Sequence, residues 1–236
     1  MALPALQLSE VLSRQDIWRG DRLAVRDGAA ESSGFDALDA ELPGKGWSTG
    51  ALTELLPTQT GVGELALLWP VLVRLSRSGW LALVAPPYLP FAPAWAELSL
   101  EHLWWVRGVS AQEAAWVTEQ MLASGAFAAV LSWLPQVESA QMRRLQLAVE
   151  GRRSLAFVMR APTAARSASP APLRLQLAAA GAGALSVQIL KRRGPPRPEP
   201  LLLAVPRPLR GMRLKAPHHA VAGPLFSTLR TGSFSV

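Results

Sequence analysis

The 236-residue sequence contains no cysteine, and this absence excludes several kinds of protein chemistry. Without thiols the chain forms no disulfides, thiolate metal sites or cysteine nucleophile, and it suits a reducing compartment. Histidine is scarce too: His102, His218 and His219 have no acidic neighbours at the spacing that three or four metal ligands require. The GxSxG pattern of a serine nucleophile occurs as GWSTG (46–50), but it follows a Pro/Gly-rich turn and precedes a predicted strand, whereas a nucleophile elbow joins a strand to a helix. We therefore predict no metal site and no hydrolytic triad.

Long uninterrupted hydrophobic runs are missing as well. The apolar stretch LALVAPPYLPFAPAWA (81–96) is broken by prolines and is too short to span a bilayer as a helix. The first residues, MALPALQLSEVLSRQD, lack the basic start and apolar run of a signal peptide. The sequence thus predicts a soluble, cytoplasmic protein that does not contact a membrane.

Positive charge is plentiful, and it is concentrated at the C-terminal end. The chain has 24 Lys and Arg against 17 Asp and Glu; residues 1–190 hold 15 against 16, and residues 191–236 hold nine against one. Such a segment favours a nucleic-acid backbone or an acidic protein surface as partner, with a purely solubilising role as the alternative. The candidate contact residues are Lys191, Arg192, Arg193, Arg197, Arg207 and Arg210.

Hydrophobic periodicity predicts strands that alternate with helices. Apolar runs indicate strands at 51–56, 80–86, 126–134 and 154–160, with helices at 64–77, 110–124 and 139–151 between them. The second helix is predicted to start at a capping box of Ser110 and Glu113 and to stop at Gly125, and the third to start from a Ser139 cap. This alternation is typical of an α/β fold with a mostly parallel, twisted sheet covered by helices. Two further strands, at 172–179 and 184–193, flank a Gly-Ala-Gly turn and predict an antiparallel hairpin at the sheet edge.

Composition divides the chain into three segments. Residues 1–32 read as an N-terminal helix (8–18) followed by a polar linker, and residues 33–193 read as the α/β core. Residues 194–236 contain eight of the 20 prolines and show no sustained period. We predict that this Pro/Arg-rich C-terminal segment is a disordered or extended basic tail.

The segment SGFDALDAELPGKGWSTGALTELLPTQTGVGELALL (33–68) resembles the approach to the nucleotide site in RecA-type recombinases. The matching features are Ser33-Gly34, Leu38-Asp39, Gly44-Lys45-Gly46, Gly50 and Thr53-Glu54. The resemblance continues in order through the strand and helix units to about residue 193. It implies a RecA-like core with a phosphate loop near residue 61.

That phosphate loop is degenerate. A working loop needs glycines, a lysine for the β- and γ-phosphates and a Ser or Thr hydroxyl for magnesium. Gly61 takes the place of the last glycine, Val62 stands at the lysine position and Gly63 at the hydroxyl position. Glu64 then adds a negative charge that would repel a triphosphate.

The magnesium-binding half of the site is altered too. The strand that ends in an acidic residue in RecA-like ATPases ends here in Ser132 and Trp133. Glu54 precedes the loop, and we predict a structural role for it. The resemblance therefore implies a RecA-like pseudo-ATPase that uses no cofactor. The open alternative is an unorthodox ATPase that uses Lys45 or a partner's lysine.

Three further motifs, WRG (18–20), LALVAPPYLP (81–90) and ILKRRG (189–194), are similar to the ImuA family of SulA/RecA-like accessory proteins. This resemblance implies a non-catalytic role in SOS-induced, error-prone translesion DNA synthesis, a form of DNA-damage response and mutagenesis. The implied partner is an ImuB-like relative of Y-family polymerases, with RecA and an error-prone replicative-type polymerase as further candidates. The alternative is a SulA-like cell-division inhibitor that acts on the division ring.

Nine tryptophans are many for this length. Those in strongly apolar runs are predicted to pack in the core: Trp69, Trp80, Trp95 and Trp116. Trp104 and Trp105 differ from these, because adjacent residues on a strand face opposite sides of it. At least one of the two could therefore be exposed and anchor a partner, with simple burial of both as the alternative.

Overall fold

The computed structural model describes residues 29–88, 95–181 and 183–205 of the chain. The predicted N-terminal helix at 8–18 and the tail residues Arg207 and Arg210 lie outside this part. Among the described residues, no helix combines the length and the apolar character that crossing a membrane would take.

The structure contains the predicted strands and helices and adds four strands that were not predicted. The strands are β1 (Ala30–Glu31), β2 (Trp47–Ser48), β3 (Leu52–Pro57), β4 (Trp80–Val84), β5 (Leu103–Val106), β6 (Phe127–Trp133), β7 (Leu155–Met159), β8 (Leu173–Ala179), β9 (Ala184–Lys191) and β10 (Leu201–Ala204). The four that were not predicted are β1, β2, β5 and β10. The α-helices are α1 (Asp36–Asp39), α2 (Glu64–Ser76), α3 (Ala111–Ser124) and α4 (Ser139–Val149). Short 3₁₀ turns occupy Leu100–His102 and Pro162–Arg166.

Eight strands form one sheet in the order β10-β9-β8-β3-β7-β6-β4-β5. The pairs from β8 to β5 are all parallel, whereas β8 with β9 and β9 with β10 are antiparallel. Strands β1 and β2 make a separate two-stranded antiparallel sheet. The predicted α/β class with a mostly parallel sheet is therefore confirmed.

The predicted arrangement at the sheet edge is wrong in one respect. Strands β8 and β9 pair antiparallel as expected, but β8 also pairs in parallel with β3, so it lies inside the sheet. The edge is formed by β10, which lies within the segment predicted to be a tail from residue 194 onward. Leu201 and Leu203 are buried, and this two-residue alternation over four residues was too short to outweigh the surrounding prolines.

The two faces of the sheet carry separate hydrophobic layers. On one face, Leu67, Leu68 and Val71 of α2 pack with Leu81 and Leu83 of β4. On the other, apolar residues of α3 and α4 pack with the alternate positions of the same strands. Helices on both faces explain why the central strands are apolar at nearly every position.

Helix ends follow local sequence. Helix α3 starts at a capping box in which Ser110 and Glu113 bond reciprocally, and it ends at Gly125 with a left-handed φ of 65°, as predicted. Helix α4 was predicted to start from a Ser139 cap. The cap is instead Glu138, which forms the reciprocal box with Gln141, so the boundary shifts by one residue.

Candidate functional site

The loop between β3 and α2 occupies the position where a phosphate loop would lie. It follows the carboxyl end of a central parallel strand and leads directly into a helix N-terminus, the usual arrangement for binding anions. Gly61 and Gly63 have φ values of 78° and 126°, a backbone that residues with side chains rarely adopt.

The loop amides are occupied by a side chain of the same chain. One carboxylate oxygen of Glu64 accepts a hydrogen bond from the Gly61 N–H at 3.0 Å, and the other accepts from the Gly63 N–H at 3.1 Å. Glu64 is only 5% exposed. A buried carboxylate thus lies on the N–H groups that face the loop interior.

The residue at the lysine position of the loop packs against the hydrophobic core. Val62 is half-buried and packs against the hydrophobic cluster on the α2 face of the sheet. A methyl group added at Gly63 would lie 3.4 Å from Leu185 and 3.9 Å from Val205. Strand β9 and the residue that follows β10 therefore pack beside the loop.

Lys45, the alternative source of a phosphate-binding cation, belongs to the turn that precedes β3, whereas the loop follows the other end of that strand. Pro43, two residues away, lines a small cavity with Ala51 and Leu52 at the start of β3. The loop begins at the opposite end of this six-residue strand, about 20 Å away at 3.3 Å per residue.

The strand-end position that would carry a magnesium-binding acid holds a serine, whose hydroxyl is hydrogen-bonded to a threonine. Ser132 on β6 is wholly buried, and its Oγ lies 2.9 Å from Thr118 Oγ1 of α3. Because the Thr118 hydroxyl donates to the Ala114 carbonyl at 2.7 Å, the Ser132 hydroxyl donates to Thr118. Trp133 packs against the core on the opposite face.

Glu54 on β3 is buried in an ion cluster rather than directed at the loop. It is wholly inaccessible, and its two carboxylate oxygens accept hydrogen bonds from Arg160 at 3.0 Å and from Arg174 at 2.8 and 3.3 Å. The Arg174 guanidinium also donates to the carbonyls of Ala164 and Ser167. The Glu54 cluster (Glu54, Arg160 and Arg174) therefore joins three adjacent strands and a 3₁₀ turn, in agreement with a structural role.

Two of the predicted basic contact residues are held by a carboxylate. Arg192 donates to both the side chain and the backbone carbonyl of Glu41, and Arg197 donates to the other carboxylate oxygen at 2.6 Å. The Arg192 side chain is only 6% exposed. These two cations fasten the segment after β9 to the turn after α1, which reduces the charge that they present to a partner.

The neighbouring basic residues are placed differently. Lys191 Nζ donates to the Ser169 carbonyl at 2.8 Å. Burial lowers the pKa of Lys191 below its ordinary value, the positive charge of Arg174 lowers it further, and Glu54 opposes the shift. Arg193 lines the small cavity at the start of β3 together with Pro43 and Pro172.

Trp104 and Trp105 face opposite sides of β5, as predicted from their adjacency. Trp105 packs against the core on the α2 face, and the Arg107 guanidinium lies 5.1 Å from its ring centroid. Trp104 is 39% exposed and lies on the other face, with ring centroids 6.2 Å from Trp80 and 5.8 Å from Phe127.

The exposed aromatic cluster consists of Trp80, His102, Trp104 and Phe127. The Trp80 ring lies 5.2 Å from that of His102 and is itself 42% exposed, so its predicted burial is wrong. The prediction is also wrong for Trp116, which is 56% exposed on α3, whereas Trp95 is buried and Trp69 half-buried. Strand β5 lies at the sheet edge, where helices cover less of the apolar surface than they do over central strands.

The sequence identified Glu54, Arg192 and Arg197 as residues of interest, but it did not identify the residues to which they are bonded. Arg160 and Arg174 were not identified as partners of Glu54, and Arg174 gave no signal, because it shares the polar phase of the alternating strand with Gln176. Glu41 gave no signal, because it is an ordinary acidic residue in a turn. Within residues 29–88, 95–181 and 183–205, no three His, Asp or Glu side chains come together as metal ligands would.

No protein-family model matches this sequence, and a search of curated proteins likewise gave no match.

Proposed function

We propose that this chain is a non-catalytic accessory protein of SOS-induced, error-prone translesion DNA synthesis, which works in the cytoplasm by binding polymerase-related partners. The observation that carries the proposal is the loop between β3 and α2, whose glycine backbone is that of an anion-binding loop while Glu64 occupies its N–H groups. The sequence resemblance to ImuA-type proteins supplies the biological setting.

Phosphoryl transfer requires positioned cations, and the loop region offers none of the expected ones. The cation position is the half-buried Val62, and the acid position is Ser132, whose hydroxyl is bonded to Thr118. Transfer of a γ-phosphoryl group depends almost entirely on such electrostatic stabilisation. A scaffold without it can still present surfaces to other macromolecules, which favours a binding role.

The exposed aromatic cluster is the surface that best suits a protein partner. Trp80 and Trp104 are exposed beside an edge strand, and tryptophans are over-represented among the residues that dominate binding energy. We propose that this cluster contacts an ImuB-like relative of Y-family polymerases. RecA and an error-prone replicative-type polymerase are further partners in the same proposal.

DNA contact is a secondary part of the proposal. Arg192 and Arg197 are bonded to Glu41, and Lys191 is bonded to the Ser169 carbonyl, so contact with phosphates through these three residues would compete with those bonds. Such contacts are sequence-blind and weaken steeply with salt.

Co-purification with an ImuB-like protein tests the proposal directly. The full-length chain should bring down the partner, and W104A should weaken the complex by about tenfold or more, as expected for an aromatic anchor. W116A is the matched control, because Trp116 is also exposed but lies on α3, outside the aromatic cluster. Circular dichroism checks that both variants fold.

Two results would count against the proposal. The absence of a complex with the full-length chain would contradict a role beside an ImuB-like protein. Filamentation of cells that overproduce the chain, without any such complex, would favour the SulA-like alternative.

A further inference from the structure

The Glu64 carboxylate differs in geometry from an ordinary helix cap. A capping side chain bonds the first amides inside the helix, and the glutamate of a capping box reaches back to a single amide. Glu113 of α3 is such a residue: it is exposed, and the one backbone N–H from which it accepts is that of Ser110. Glu64 instead reaches back to two amides that precede α2, those of Gly61 and Gly63.

The N–H groups of Gly61 and Gly63 both point at one carboxylate, that of Glu64. Left-handed glycines turn successive N–H groups towards one side, which produces an anion-binding concavity. The 13-residue helix α2 begins at Glu64 and adds the positive end of its dipole there. Space around Gly61 is open, since a methyl group added to it would meet nothing within 4 Å. Its glycine therefore serves the backbone conformation rather than close packing.

A carboxylate that is 95% buried needs strong hydrogen bonds to remain charged. Charge-assisted bonds to backbone N–H groups are of this kind. They can satisfy Glu64 only while the loop keeps its present conformation, so the side chain and the loop hold each other in place. A free phosphate would have to displace a tethered carboxylate from the same N–H groups.

We propose that Glu64 is an intramolecular anion that keeps the loop closed, ordering it without a ligand and excluding free phosphate from its amides. The inference concerns the loop alone and stands whether or not the chain binds a polymerase relative.

Amide hydrogen exchange at Gly61 and Gly63 tests this closure, with inorganic phosphate as the probe. In the native chain both amides should exchange slowly, and 20 mM phosphate, a concentration on the order of a weak anion's Kd, should not change them. E64A should raise both exchange rates about tenfold or more, because each amide loses a charge-assisted bond. Phosphate should then slow exchange in E64A, since the amides are free to meet it.

E113A is the matched control, because it removes a first-turn carboxylate from a helix of similar length whose carboxylate does not bond the amide of a positive-φ glycine. It should raise exchange at Ser110 and leave Gly61 and Gly63 unchanged. If E64A does not fold, E64Q keeps the shape of the side chain and should show the same pattern with a smaller amplitude. Slow exchange at both glycines in E64A would overturn the proposal. So would phosphate protection in the native chain, or fast exchange in E64A that phosphate does not slow.

Discussion

At the scale of single residues, the Glu54 cluster places three charged side chains in a buried environment. One wholly buried carboxylate is shared by Arg160 and Arg174, whose side chains are 11% and 8% exposed. Burying ions is unfavourable unless each is paired and bonded, so such a cluster does not by itself make a fold stable. Its loss, however, leaves buried positive charges without a partner.

The E54Q substitution keeps the size of this side chain and removes its charge. We expect a loss of about 3–5 kcal/mol in the free energy of unfolding, because two buried guanidinium groups lose their counter-ion. Urea denaturation measures this loss. E119Q is the control: Glu119 pairs with Arg144, which is mostly exposed, and breaking that surface pair should cost about 0–1 kcal/mol. Similar losses in the two variants would show that the Glu54 cluster is not structural.

Residue roles were predictable where they depend on near neighbours in sequence. The loop substitutions at Val62 and Gly63 can be read from the spacing alone, whereas the arginines of Glu54 are 106 and 120 positions away. The burial of Trp80 and Trp116 was mispredicted because apolar neighbours in sequence do not determine which side of an element faces the core.

At the scale of elements, β10 shows that the ordered part of the chain continues past residue 194. Its four residues alternate between buried and exposed, and they pair antiparallel with β9. The segment that leads to it is fastened by Arg192 and Arg197 to Glu41. Pairing and ion pairs over a long sequence distance thus order a stretch whose composition resembles that of a tail.

Adjacent leucines of β10 provide a matched pair for testing this strand. L203A should lower the free energy of unfolding by about 2–4 kcal/mol, because Leu203 is buried in the core cluster. L202A should change it by less than about 0.5 kcal/mol, because Leu202 is 71% exposed. Equal effects in denaturant titrations would mean that β10 does not pack on the sheet, and the tail would then begin at residue 194 as predicted from composition.

The start of α3 should respond to acid through Glu113. Hydrogen bonds from Ser110, the backbone bond first, hold the pKa of Glu113 below its ordinary value of 4.5. A lowered carboxyl pKa in the folded state stabilises the fold above the unfolded pKa, and this contribution disappears as the pH falls through the folded pKa. E113Q should therefore be less stable than the native chain at pH 7, and the difference should shrink as the pH falls below 4.5 and through the lower pKa of the folded state. Urea midpoints at pH 7 and pH 3 check this, and a difference that does not depend on pH would contradict it.

The longer helices and strands were predictable because their apolar periodicity extends over many residues and because the residues that cap a helix are close together in sequence. Ser110, Glu113 and Gly125 mark α3 in the sequence as they do in the structure. The order of strands was not predictable in the same way, since β3 lies between β7 and β8 through pairings that span more than 100 residues.

At the scale of the whole molecule, the described part combines a closed phosphate-loop region with an exposed aromatic edge. The loop beside β3 is occupied by Glu64, while Trp80 and Trp104 lie exposed near β5, at the far edge of the same sheet. We propose that function in such a chain depends on surfaces rather than on a reaction.

Titration with a fluorescent ATP analogue and magnesium tests that claim most directly. We expect no saturable binding tighter than a Kd on the order of several hundred micromolar, because Glu64 occupies the loop amides and Val62 stands at the lysine position. Saturable binding with a Kd of a few micromolar that unlabelled ATP displaces would contradict this expectation. The chain would then be a nucleotide-binding protein.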